Sequence, residues 1–353
     1  MHPDTEAIIV AGGFGTRLQP LTTRQPKHLL NVGGAPFLEH QIARLAEAGV
    51  THIVVATSYH SELFEPVLGD GSRWAVRLDY VREAEPLGTA GALRNVASAL
   101  GDDPEGAVVI LNGDVLSGHD LAAQLADFER PRSGQPVDVS LHLVEVPDAR
   151  PFGCVPTDAT GRVTGFTEKS EKPVTNQVNA GCYVFRRRII DEIPAGRVVS
   201  VERETFPALV EAGRLVVGFV DTAYWRDIGT PAALIAASKD LVLGVATSPA
   251  VSPGVDGARI SPHAHICATA TVNGGSLVAE GVRVGADAVV SGSVLMAGAL
   301  VGSGAVVTDS AIGPGAQVGA GADLVEVTVG DDARVADGVR LRSERVDCGA
   351  APG

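Results

Sequence analysis

From the N-terminus to about residue 240 the chain alternates short runs of consecutive apolar residues with stretches whose apolar positions recur at helical spacing. Ala7-Ile8-Ile9-Val10 is the first such run and leads into a glycine-rich segment. Residues 36–48 place Leu38, Ile42 and Leu45 on one helical face, with Pro36 suited to a first helical position and Gly49 to the stop. His52-Ile53-Val54-Val55-Ala56 predicts a second strand and Leu78-Asp79-Tyr80-Val81 a third. A helix over residues 89–100 follows, halted by Gly101, and Val108-Val109-Ile110-Leu111 predicts another buried strand. This alternation predicts a mostly parallel, doubly wound α/β sheet. Ligands of such sheets bind beyond the carboxyl ends of the strands, and both the glycine segment and Asp114 fall at such ends.

Beyond about residue 245 the period changes. Pro253-Gly254 marks a linker, after which Ile260, Ile266, Val272, Val278 and Val284 recur at every sixth position. Farther on, three columns repeat at intervals of 17: Val278, Leu295, Ile312, Val329; Val284, Val301, Val318, Val335; and Val290, Val307, Leu324, Leu341. No helix or ordinary sheet has this repeat. It fits a three-sided parallel β-helix, with one aliphatic per face pointing inward and small residues turning the corners. A low-complexity linker would have no reason to keep its aliphatics in columns. The expected domains are residues 1–245 and 255–345.

Composition narrows the function classes. The chain has 353 residues, 45% of them hydrophobic and 20% charged, as in a globular protein. No window approaches the roughly 18 uncharged apolar residues that span a bilayer. Acids near the start and an apolar run confined to residues 7–11 do not resemble a signal peptide. The four cysteines, Cys154, Cys182, Cys267 and Cys348, lie far apart with no CxxC pair. A cytoplasmic protein with reduced thiols and no membrane attachment is expected. The net charge of -14 argues against a nucleic-acid partner. It leaves room for a local cationic pocket that takes a phosphorylated small molecule. His263 and His265 have no acidic or cysteine neighbours at a zinc-site spacing.

Candidate chemistry begins at Gly12-Gly13-Phe14-Gly15-Thr16-Arg17-Leu18, directly after a predicted strand. Glycine lets backbone N–H groups approach an anion closely. No Lys-Ser/Thr pair follows at Walker A spacing, and the third glycine of a dinucleotide fingerprint is missing. By its shape alone the loop would suit a structural tight turn better than a phosphate site. Its continuation is more distinctive: Arg17, Pro20-Leu21-Thr22, Pro26-Lys27, Leu29-Leu30 and Gly34-x-Pro36.

From Gly12 to Gly49 this pattern resembles the signature of the sugar-phosphate nucleotidyltransferases (nucleoside-diphosphate-sugar pyrophosphorylases), most nearly the mannose-1-phosphate guanylyltransferase branch. The resemblance continues through Glu85-Pro86-Leu87-Gly88-Thr89-Ala90-Gly91, Leu111-Asn112-Gly113-Asp114 and Phe166-Thr167-Glu168-Lys169. Asn179-Ala180-Gly181-Cys182-Tyr183 and Trp225-Arg226-Asp227-Ile228-Gly229-Thr230-Pro231 complete it. It implies a Rossmann-like, doubly wound mixed sheet of the nucleotidyltransferase type, followed by a left-handed parallel β-helix. The implied reaction joins an NTP to a sugar 1-phosphate with release of pyrophosphate. Its phosphate nucleophile is already ionised, so the site needs cations, backbone donors and metal-binding carboxylates instead of a catalytic base.

By the same resemblance, Ala11, Gly12 and Gly13 line the nucleotide, Arg17 meets its phosphates and Lys27 reaches the departing pyrophosphate. Asp114 and Asp227 are the implied Mg²⁺ ligands, two carboxylates being usual for this ion. A turn role for Asp114 and an ion pair between Asp227 and Arg226 are the plainer readings. Glu85, Leu87, Gly88 and Thr89 correspond to the base- and ribose-reading block, and Thr89 also suits a helix N-cap. Guanine offers N1–H and N2–H₂, so an acceptor such as Glu85 favours GTP. Gly153, Glu168, Lys169 and Asn179 match the sugar-phosphate positions, although Ser170-Glu171-Lys172 before Pro173 departs from the family's Glu-Lys-Pro and lengthens the loop.

The implied partners are an NTP and a sugar or cyclitol 1-phosphate, with mannose 1-phosphate as the default. Heptose, glucose and valienol-type phosphates, with dTTP, UTP or ATP, stay open. A homo-oligomer is expected, the β-helix serving assembly or regulation. A non-catalytic regulatory relative would be expected to lose Arg17, Lys27, Asp114 or Asp227, and all are present. An acyltransferase would need a base in the β-helix, where no histidine follows His265. A glycosyltransferase would want Asp-x-Asp where the chain has Gly113-Asp114-Val115.

Overall fold

The computed structural model describes residues 5–167 and 171–351. They form two compact units, one of residues 5–12, 41–167 and 171–225 and the other of residues 13–40 and 226–351. No helix of the described residues is long and apolar enough to cross a membrane.

A seven-stranded mixed sheet organises the first unit. Its strands in chain order are β1 (Glu6–Ala11), β2 (His52–Thr57), β3 (Arg77–Arg82), β4 (Ala107–Asn112), β5 (Val139–Glu145), β6 (Gln177–Arg186) and β7 (Val216–Asp221). Across the sheet they run β7-β5-β6-β4-β1-β2-β3. β1 pairs in parallel with β2 and β4, and β2 with β3, which produces the expected doubly wound half. Consecutive Ala7, Ile8 and Ile9 are fully buried because parallel strands are covered on both faces. β6 is the one strand of this sheet that runs antiparallel to its neighbours. Between the pairs Leu141–Tyr183 and Leu143–Asn179, β6 carries Ala180, Gly181 and Cys182 where β5 carries only His142. Gly181 takes a φ of 74°, which a side chain rarely adopts, and so makes this bulge.

Predicted elements shift at their edges. The helix expected over 36–48 runs Phe37–Glu47 as α1, and Pro36 instead lies in a short strand, Ala35–Pro36, paired with Asn31–Val32. Gly33 and Gly34 supply the positive φ of that tight turn, which fixes Pro36 before the helix can begin. The helix expected over 89–100 runs Gly88–Val96 as α2 and continues as a 3₁₀ turn over Ala97–Ala99. Thr89 is not its N-cap: Leu87 holds that position without a side-chain bond.

In the second unit the β-helix is present, built from three sheets of parallel strands of six, five and five members. The columns Val278-Leu295-Ile312-Val329, Val284-Val301-Val318-Val335 and Val290-Val307-Leu324 form its apolar core. Leu341, Ile266 and Val272 pack against that core only in part. Ile260 departs from the pattern and is 45% exposed, because it stands in the terminal coil with no coil before it. A helix α3 (Pro231–Val242) packs along the strand Ser276–Val278. At its start Thr230 Oγ1 accepts from the Ala233 amide at 3.2 Å and Pro231 lies in the first turn.

Candidate active site

In the first unit, four adjacent parallel strands end in a row of candidate residues. Gly12 follows β1, Ser58 follows β2, Glu83 follows β3, and Asp114 stands in the turn after β4. The Gly113 amide donates to the Val10 carbonyl at 2.9 Å, which ties the Asp114 turn to the end of β1. Ser58 Oγ donates to the Gly12 carbonyl at 2.5 Å. Ala11 is buried as the last residue of β1. Asp114 is half-buried and stands in a turn, as its plainer reading has it.

Glu83 was not among the residues singled out by sequence. It is only 7% exposed, and a Cβ added to Gly12 would stand 3.3 Å from its Oε2. Burial raises its pKa above the ordinary carboxyl value, opposed by a hydrogen bond with the Leu87 backbone. Its Oε1 is buried without a hydrogen-bond partner among the described residues. Glu85, the predicted acceptor, is exposed. The signal that could have found Glu83 is positional: it is the first residue after β3, where a doubly wound sheet presents its ligand groups.

The predicted block Leu87-Gly88-Thr89 is pinned to the segment after residue 198. Leu87 accepts from the Val199 amide at 2.9 Å, and a Cβ on Gly88 (φ 72°) would lie 2.6 Å from the Val199 carbonyl oxygen. Thr89 Oγ1 accepts from the Val201 amide at 2.8 Å and donates to Glu202 at 3.2 Å, which is why it does not cap its own helix.

Glu202 then links this block to the predicted sugar side. Tyr183 donates to it at 3.4 Å, and Asn179 Nδ2 donates to the Tyr183 hydroxyl at 2.7 Å. Burial holds the Tyr183 phenol well above its ordinary pKa, so it remains a donor. Gly153 and Asn179 line a cavity of about 560 Å³ together with Ser200, Glu202 and Arg203. Glu202 and Arg203 belong to a π-helical segment, Val201–Thr205, a form often found at functional sites. They lie between the recognisable sequence blocks, in a stretch without apolar periodicity. Glu168 and Lys169 lie outside the described residues.

In the second unit the loop glycines and their basic partner do meet. A Cβ on Gly13 would stand 3.3 Å from both Cε and Nζ of Lys27, so the lysine runs along the bare face of the loop. Gly15 has a φ of 64° and accepts at its carbonyl from Thr22 Oγ1 at 2.9 Å. Arg17 is brought to Asp227: a Cβ on Gly229 would lie 2.5 Å from Arg17 Nη2 and 2.9 Å from Asp227 Oδ1. Asp227 is the last residue of a short strand, Trp225–Asp227. Arg226 pairs with Asp240 at 2.9 Å. The carboxylates Asp114 and Asp227 are hard oxygen donors, the donor class that suits a divalent cation of the Mg²⁺ type. Among the described residues, no group of three or more His, Cys, Asp or Glu side chains is placed to cage a metal.

Residues 6–242 match the family profile described as nucleotidyl transferase, and residues 255–349 match that of the GMPPB C-terminal domain. A mannose-1-phosphate guanylyltransferase of Mycobacterium tuberculosis is 48% identical over 79% of this chain and 78% of its own length. Mannose-1-phosphate guanylyltransferase 1 of Arabidopsis thaliana is 32% identical over 81% of this chain and 76% of its own. The crystal structure of HddC from Yersinia pseudotuberculosis complexed with GMP-PN covers 67% of this chain and 99% of that one, at 27% identity and a TM-score of 0.56.

Proposed function

The chain belongs to the nucleotidyl transferase family, and from that premise we propose that it condenses GTP with mannose 1-phosphate to give GDP-mannose and pyrophosphate. A phosphate oxygen of the sugar phosphate attacks the α-phosphorus of GTP, and the bond to the β-phosphate bridging oxygen breaks as pyrophosphate leaves with its electron pair. The nucleophile is an anion at neutral pH. Catalysis is therefore positioning and charge neutralisation, without a side-chain base.

The buried Glu83 carboxylate beside Gly12 is the observation that carries the choice of base. Guanine presents N1–H and N2–H₂ side by side, and one carboxylate accepts from both. Adenine, uracil and thymine each turn at least one acceptor toward such a group. In this reading Gly12 and Gly13 admit the nucleotide backbone-close, Arg17 neutralises its phosphates and Lys27 the departing pyrophosphate. Leu87, Gly88 and Thr89 form the wall against base and ribose. Gly153, Asn179 and Glu202 face the sugar, and Arg203 and Lys169 its phosphate.

Enzymes of this family work with a divalent metal. We choose Mg²⁺, held by Asp114 and Asp227, because carboxylate oxygens plus phosphate and water are its habitual ligands. When bound, the ion supplies charge neutralisation between the phosphates. A homo-oligomer in the cytoplasm is the assembly and location we assign to it, the first checked by the mass in solution and the second by fractionation of cells.

The test is a pyrophosphate-release assay that crosses GTP, ATP, UTP and dTTP with mannose, glucose, heptose and valienol 1-phosphates. GTP with mannose 1-phosphate should give the highest kcat/KM. Preference for another base would overturn the Glu83 reading, and preference for another phosphate would reassign the acceptor. No turnover with any pair would favour a regulatory relative.

A further inference from the structure

In the second unit the segment that follows the glycine loop rests on the last coils of the β-helix. Arg345, in the strand Arg345–Val346, donates from Nη2 to the Arg17 carbonyl and from Nη1 to the Gln19 carbonyl, both at 3.0 Å. Cys348 Sγ lies 3.5 Å from the Pro20 carbonyl, and Arg24 is ion-paired with Asp332. A Cβ on Gly330 would fall 2.9 Å from Pro20 Cβ, so the coil approaches the loop as closely as a glycine allows.

The loop's own backbone does not satisfy the first of these carbonyls. Thr16–Leu18 is a 3₁₀ turn, in which each carbonyl accepts from the third residue on. For Arg17 that residue is Pro20, which has no N–H. The planar guanidinium of Arg345 bridges this orphan and the Gln19 carbonyl with one rigid fork, which an ammonium could not do. Position 345 also departs from its column. Leu277, Val294, Ala311 and Thr328 pair in register before it on the same outward face and are all buried, whereas Arg345 is exposed.

We propose that Arg345 is a positioning residue for nucleotide-phosphate binding: the last coil of the β-helix fixes the backbone on either side of Arg17 and so aims its guanidinium. The inference rests on the reading that Arg17 meets the triphosphate. It makes the β-helix a component of the phosphate-binding loop in addition to whatever assembly it serves.

Two measurements on the full-length enzyme test it. In Arg345→Ala, amide hydrogen exchange over residues 16–24 should accelerate while the rest of the β-helix keeps its protection. Its kcat/KM for GTP should fall about tenfold to a hundredfold, the scale expected when a catalytic group is misplaced by about 1 Å. KM for mannose 1-phosphate should stay within about twofold and the melting temperature within about 2 °C. Arg345→Lys should recover part of the loss, since one donor can reach one carbonyl. Arg342→Ala, which removes a neighbour paired with Asp323, should behave as wild type.

Wild-type exchange and kinetics in Arg345→Ala would overturn the proposal. So would an equal loss toward both substrates with a lowered melting temperature, which marks a structural role only. Should that variant fail to fold, Asp332→Ala breaks the second clasp, and unchanged exchange over residues 16–24 would refute the idea. An inactive wild-type enzyme would instead count against the proposed reaction, while the exchange readout would still judge the clasp.

Discussion

Replacing Glu83 by Gln separates base recognition from the rest of the chemistry. The change is nearly isosteric and leaves Gly12 the same neighbour, so it alters hydrogen bonding and charge with little repacking. A carboxylate facing guanine accepts from N1–H and N2–H₂. An amide keeps one acceptor and turns a donor toward the other hydrogen. A charge-assisted hydrogen bond is worth about 1.5–3 kcal/mol, so kcat/KM for GTP should fall roughly 10- to 150-fold. ATP, UTP and dTTP should lose less or gain, because an amide complements their mixed donor and acceptor edges.

The free enzyme should not suffer. Burial raises the Glu83 pKa, so the folded state disfavours the charged form of this carboxyl. The sign follows from linkage: the folded form binds the proton more tightly, so its relative stability is greatest at low pH. That advantage is lost as pH rises through the raised folded pKa. Glu83→Gln removes this penalty and should keep or raise the melting temperature. GTP binding runs the other way, since guanine donors favour the ionised acceptor. KM for GTP should therefore rise as pH falls through the raised pKa, and this limb should vanish in Glu83→Gln. Pyrophosphate release at saturating mannose 1-phosphate, with each NTP varied across pH, reads all of these quantities. An unchanged kcat/KM for GTP in Glu83→Gln, together with a loss in Glu85→Gln, would return base reading to the exposed Glu85.

Three further predictions concern the phosphates. Gly229→Ala would place a methyl 2.5 Å from Arg17 Nη2 and 2.9 Å from Asp227 Oδ1. Displacing both should cut kcat by about a hundredfold, and near-normal turnover would show that their placement is not critical. Asp114→Ala or Asp227→Ala should each lower pyrophosphate release by about 10³-fold with the circular dichroism spectrum retained, and chelating the divalent metal from wild type should reproduce the loss. Arg203→Ala should raise KM for mannose 1-phosphate by about tenfold through a lost charge-assisted contact and leave KM for GTP in place; a GTP defect instead would move Arg203 out of the sugar pocket.

Much of the architecture was legible because it rests on apolar period. Strand cores such as Ile8-Ile9 and the inward columns of the β-helix announce themselves by spacing, and burial then enforces it. Residues of separate motifs also come to one place: Gly13 adjoins Lys27, and Arg17 and Asp227 both flank Gly229. What escaped was set by long-range pairing. Thr89 looked like a cap, yet the Val201 amide and Glu202 compete for its hydroxyl from a segment more than 110 positions away. Glu83 and Glu85 differ by two residues and are indistinguishable by composition. Only the end of β3 decides which is buried beside Gly12 and which faces water. Glu202 and Arg203 gain meaning only when the bulge at Gly181 turns Asn179 and Tyr183 toward them.

The outward faces of the β-helix carry a second pattern, independent of the inward columns. One sheet presents His265, Arg283, Leu300, Gln317 and Arg334 to its surroundings, and another presents Thr271, Val289, Val306, Asp323 and Arg340. Both are mixtures that water tolerates. The third presents Leu277, Val294 and Ala311, exposed by no more than 2%. Apolar residues at outward positions of a solenoid call for a cover, because hydrophobic surface left in water costs about 25 cal/mol per Å². Part of the cover is α3, against Ser276–Val278. At the far end of the same column the chain changes chemistry, and Arg345 meets the carbonyls of the glycine loop. A face that is apolar where a helix lies on it and cationic where bare carbonyls lie on it is shaped for its neighbours along its whole length. The glycine loop is one of those neighbours, which is why residues 13–40 group with the β-helix although they follow the first strand of the sheet in sequence.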